Sequence, residues 1–145
     1  MTDLLADALS VAIPGAIGFI VWRDVLRMTE SNPRQRKMLF RAAAALTFNI
    51  LLIWLLLAVI WLHLGRYANS EDPKIVHTLA LTYTWLSIAG ISVSLVTISL
   101  GLLSAHGLSR KICIWYSAAQ LVVWLIANFM STRVVAFFAI DHLLD

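Results

Sequence analysis

The run Leu39–Leu64, "LFRAAAALTFNILLIWLLLAVIWLHL", holds one formally charged residue, Arg41, in twenty-six positions. Ile75–Ser104 and Ile112–Thr132 ("ICIWYSAAQLVVWLIANFMST") hold none. Each of the three exceeds the roughly 20 apolar residues that a helix needs to cross hydrocarbon. Composition agrees. The 145 residues are 61% hydrophobic and 13% charged, a surplus that a core of this size cannot bury, so lipid must act as solvent for much of it.

A fourth segment, Leu4–Trp22, differs in two ways. Asp3 and Asp7 precede or begin it, which is unlike the positively charged lead of a signal peptide. Pro14-Gly15 interrupts it, and a proline inside a membrane helix removes one of its hydrogen bonds. The segment reads as a kinked or short spanning helix, or as a re-entrant or interfacial one. The expectation is an all-α integral membrane protein, an up-down bundle of three to four transmembrane helices in one domain over residues 1–145. The helices are expected at about 4–22, 39–64, 75–104 and 112–132. The apolar tail 134–145 is too short to cross again; it either extends the last helix or lies along the interface.

The links carry ordinary stop and start signals. Asn32 is placed to cap a helix beginning at Pro33, Gly65 to end the next, and Pro73 to open the third. Links this short make the last three helices antiparallel neighbours.

Basic residues set an orientation. Arg23, Arg27, Arg34, Arg36, Lys37 and Arg41 surround the first link and Arg110 and Lys111 the third, eight of the eleven in the chain. By the positive-inside rule these links face the cytoplasm of a bacterial inner membrane, with the C-terminus outside. The N-terminus is also outside if the first segment crosses, and cytoplasmic if it does not. The same eight residues suit anionic lipid headgroups or an acidic partner, besides their topological role. Nucleic acid is not an expected partner, because no nucleic-acid-binding motif accompanies the charge.

Within the third run the polar residues fall in a seam. Tyr83, Ser87, Gly90, Ser94, Thr97, Gly101 and Ser104 are spaced alternately by four and three, which places them on one helix face. Small residues let backbones approach closely where hydrophobicity offers no drive for association. Ser92 and Ser99 fall on the opposite face, where each can bond to its own helix. The fourth helix has a matching stripe, Ser117, Gln120, Trp124, Asn128 and Ser131, and the second places Ala42, Ala45 and Asn49 together. Asn49 and Gln120 lie at similar depth, so each is expected to meet the other or a seam serine; Asn128 stands level with Thr82. The seam reads as the glue of the bundle, as the lining of a wet pathway between copies, or as a partner's contact.

Catalytic signatures are missing. No acidic residue lies within the three long runs, and neither a zinc-binding nor a phosphate-binding nor a nucleophile-elbow motif occurs. The single Cys113 excludes an intrachain disulfide. His63 and His77, at the outer ends of adjacent helices, are the weak candidates for a haem; otherwise no cofactor is expected. The expected function is therefore non-enzymatic: association with other subunits of a larger membrane complex, or with copies of itself, through small-residue helix faces in the lipid bilayer. The alternatives are a homo-oligomeric pore or lysis-type protein (holin-like or a defence effector) and a haem-binding redox anchor subunit.

Overall fold

The computed structural model describes residues 2–27, 33–63, 73–104 and 107–144. Four helices run in chain order: α1 (Thr2–Arg27), α2 (Pro33–Leu62), α3 (Pro73–Leu103) and α4 (Leu108–Leu144). All four are long and apolar enough to cross a membrane. The first segment is thus one unbroken helix in which Pro14 removes a single rung of the hydrogen-bond ladder. Pro14 is buried towards α2, and the helix continues past it for three further turns.

Pro33 and Pro73 stand first in α2 and α3, where a missing N–H costs nothing. The capping residue Asn32 and the stop Gly65 lie outside the described residues. At the close of α3, the backbone N–H and the hydroxyl of Ser104 both donate to the Gly101 carbonyl, at 3.2 and 2.8 Å. The segment after Thr132 does not turn away: α4 carries on as one helix to Leu144, so residues 134–144 extend it.

The helices pack in a ring. α3 lies along α4 most extensively and along α2 next, α2 packs on α1, and α1 touches α4 to close the circle. This is the up-down arrangement that the short links demand. All eight basic residues of the first and third links therefore gather at one end, called here the basic end.

Two apolar clusters form the interior. Towards the basic end, Val21 and Val25 of α1 meet Leu39, Ala43, Leu46 and Ile50 of α2 and Cys113 of α4. Towards the far end, Leu52 and Leu56 meet Leu86 and Trp124. The outer faces are equally apolar: Phe19, Trp85, Trp115 and Phe137 are each about two-thirds or more exposed. Apolar side chains exposed on all four helices suit a hydrocarbon solvent and would aggregate in water.

Cys113 is fully buried, with the backbone of Gly101 close against it. A maleimide should leave it unmodified in the folded protein and label it only once the bundle is unfolded. Rapid labelling in mild detergent would contradict this packing.

Candidate functional site

The polar seam of α3 faces inward. Ser87, Ser94 and Thr97 are fully buried, and so is Trp124, which α4 sets against them. The reason for the glycine at position 90 is steric. A Cβ there would fall 2.2 Å from the Cδ2 and Cε2 atoms of Trp124, so the indole lies directly on the α3 backbone. Gly101 serves a milder version of the same contact, since a Cβ there would meet Ile114 at 3.1 Å and Cys113 at 3.3 Å.

Side-chain hydrogen bonds join three helices at one level. Asn49 of α2 donates through Nδ2 to Ser94 Oγ of α3 at 2.8 Å. Trp124 of α4 donates through Nε1 to Asn49 Oδ1 at 3.1 Å. An indole only donates, so it dictates which way the amide points: oxygen to α4, nitrogen to α3. All three residues are inaccessible to solvent, so each bond also prevents a buried polar group from being left alone.

A second rung lies nearer the far end. Asn128 Nδ2 donates to Ser87 Oγ at 2.9 Å, and the Ser87 hydroxyl donates in turn to the Thr84 carbonyl. Thr84 Oγ1 donates to Ser131 Oγ at 3.0 Å. Asn128 thus meets Ser87 and not Thr82, which is exposed and donates back to Thr78. The shift is one turn, and its cause is the antiparallel register that Trp124 on Gly90 imposes between α3 and α4. Ser92 and Ser99, on the outer face, donate to the carbonyls of Ile88 and Leu95.

Gln120 and Ser117 behave differently. By the same register they stand opposite Ser94 and Thr97, and both are buried. Yet neither the Gln120 amide nor the Ser117 hydroxyl makes a hydrogen bond across the seam; the Gln120 amide lies beside the Tyr116 hydroxyl of its own helix. Asn49 therefore bonds to a seam serine and Trp124, whereas Gln120 makes no hydrogen bond to Asn49 or to a serine. Tyr83, at the far end of the seam, is half-buried and turns to His63, whose ring centroid is 6.5 Å away at 71°.

The helix ends at the basic end are tied by polar contacts outside the seam. Trp22 of α1 donates to Thr47 Oγ1 of α2 at 2.8 Å and meets Phe40 edge-on at 5.4 Å. Asp24 accepts from Ser109 in the first turn of α4 and pairs with Arg23 at 3.6 Å. Asp24 was no part of the sequence expectation, although an acid set between Arg23 and Arg27 is itself a signal. Also at this end, Pro33, Arg36, Lys37, Phe40 and Arg41 line an open cleft of about 780 Å³. Arg27, Arg34 and Lys111 are also exposed at this end, and Arg110 is half-buried there.

His63 lines a cleft of about 540 Å³ between the far halves of α2, α3 and α4, and His77 is not among the residues lining it. The described residues contain no group of three His, Cys, Asp or Glu side chains placed to hold a metal. No family model, no curated protein and no solved structure matches the chain.

Proposed function

We propose that the chain is a non-enzymatic, multi-pass protein of a bacterial inner membrane that works by association, with a larger membrane complex or with copies of itself. Its basic end faces the cytoplasm and its C-terminus lies outside. The reading rests on the small-residue faces and on where they point. The α3 seam is consumed by α4 and α2 of the same chain, so it is not the surface offered to a partner. The small-residue face left over is on α1. Ala8, Ala12 and Ala16 recur every four residues, and all three are exposed.

The observation that carries the proposal is the poor packing of α1. Among its residues with described side chains, none before Pro14 is buried, and Leu9, Val11 and Ile13 are each about half exposed. Its Pro14-to-Val25 half is anchored on α2, whereas its first half presents an alanine stripe with no helix of this chain against it. Lipid gives little drive for helices to associate, so an alanine face of this spacing is where a second helix can come closest.

The basic cleft would supply a second contact, to anionic headgroups or to an acidic segment of the partner. A pore built from several copies needs polar side chains facing outward. The outward serines of α3, Ser92 and Ser99, are already bonded to their own backbone, which favours the assembly reading over the conduit.

The test is the particle mass in mild detergent, with the detergent contribution subtracted. The wild-type chain should run as an oligomer or with a co-purifying subunit. Ala12→Phe should reduce it to a single chain with unchanged helical content, because position 12 is exposed and the fold does not use it. A wild-type particle containing one chain and nothing else would defeat the proposal.

A further inference from the structure

We infer that the cleft at the far end of α2, α3 and α4 binds a neutral, elongated lipophile that carries one hydrogen-bonding head. The argument begins with shape. The lining runs from Leu56 to His63 along α2, about 10 Å, and from Val123 to Val134 along α4, about 16 Å at the rise of an α-helix. It is therefore a slot parallel to the helices, and its volume of about 540 Å³ lies within the range of small-molecule sites. Val123, Ile126 and Met130 on its α4 wall are about half exposed, so the slot opens sideways, where lipid lies.

Chemistry then narrows the occupant. The walls are apolar except at His63, Tyr83 and Ser131. Ser131 is engaged with Thr84 and the Asn128 carbonyl. His63 is not: its Nδ1 is buried and has no hydrogen-bond partner. A bare hydrocarbon chain would leave that nitrogen unsatisfied, at the cost of an unmade buried hydrogen bond. An imidazole nitrogen accepts from a hydroxyl or donates to a carbonyl according to its tautomer, so either head group satisfies it.

Charge excludes the ordinary phospholipid head. Among the described residues no Lys or Arg lines the slot, and the nearby Arg133 guanidinium sits over the Phe129 ring at 4.3 Å. A phosphate placed here would find no counter-charge among those residues. The head is therefore uncharged and sits on His63 towards the end of the bundle. The chain of the ligand runs inward past Tyr83 to Leu56 and Val123. Quinones, quinols and long-chain alcohols have this form.

The test uses the full chain in phosphatidylcholine nanodiscs, titrated with a benzoquinone bearing a decyl chain and read as a mass adduct by native mass spectrometry. One molecule should bind per chain. Ala127→Phe, which puts a ring into the slot from a half-buried position, should abolish the adduct. His63→Leu should raise the half-saturating concentration about five- to tenfold, the worth of one hydrogen bond. The variants alter different walls, so misfolding of one, seen as lost helical signal, leaves the other decisive. Unchanged binding in either folded variant overturns the inference. So does displacement by equal concentrations of dodecane, which has no head, or of phosphatidylglycerol, whose head is charged.

Discussion

Gly90→Ala should be the most damaging small substitution in the chain, lowering stability by about 3–5 kcal/mol. The added methyl has no room: it would fall 2.2 Å from two ring atoms of Trp124 and 2.6 Å from a third. The indole is rigid and fully buried, so it cannot yield as the tip of a flexible side chain would. Accommodating the methyl means evicting Trp124 from α3 and breaking its bond to Asn49. The expected loss approaches that of deleting a buried tryptophan. Gly18→Ala is the control, because its Cβ would meet only the Cδ1 tip of Ile50 at 3.3 Å, and should cost under about 1 kcal/mol. Reversible unfolding in mixed micelles of rising dodecyl sulfate content would measure both. The cause can also be isolated. In a Trp124→Ala background, Gly90→Ala should become nearly neutral, so strict additivity of the two changes would show that the methyl acts elsewhere.

Asn49→Leu should cost about 2–3 kcal/mol even though leucine has as many side-chain heavy atoms as asparagine. The amide makes two bonds to two different helices, one accepted from Trp124 and one donated to Ser94. Interhelical hydrogen bonds in membranes are worth about 0.6 kcal/mol on average and up to about 1.7. The remainder comes from the indole N–H, which loses its acceptor in a site closed to water. Ser94 loses less, because its hydroxyl can turn to a carbonyl of its own helix, as Thr97 does towards Val93 at 2.8 Å. Ser94→Ala leaves one amide hydrogen of Asn49 without its acceptor but keeps the bond from Trp124, so it should cost about 1 kcal/mol, less than Asn49→Leu. Asn49→Leu with Trp124→Phe should cost less than the sum of the two singles. If Ser94→Ala proves as costly as Asn49→Leu, the amide is not the joint between the three helices.

The seam on α3 was legible because its residues recur at the helical period, which needs no knowledge of any partner. The inward stripe of α4 was legible for the same reason. The pairing across them was not. Asn49 and Gln120 stand at similar depth, and a rise of about 1.5 Å per residue cannot choose between Gln120 and Trp124 as neighbours of one amide. The choice depends on how far α4 slides along α3, and the seat of the Trp124 indole on Gly90 fixes that position. The one-turn offset between Thr82 and Ser87 as the neighbour of Asn128 has the same origin. Asp24 and Ser109 lie 85 positions apart, and only closure of the ring by α1 on α4 brings them together.

Sequence alone determined three long apolar helices and an excess of basic residues around the first and third links, because helix formation in an apolar solvent follows from length and hydropathy. That the segment holding Pro14 is a fourth unbroken helix came from the structure. Sequence also determined that α3 has one face of small polar residues, since periodicity is a local property. Only the tertiary structure decided that this face is turned inward and closed by Trp124, leaving the alanines of α1 and the slot at His63 as the open surfaces. Those outcomes depend on rotation and sliding of whole helices, which close steric contacts select and which no single segment records.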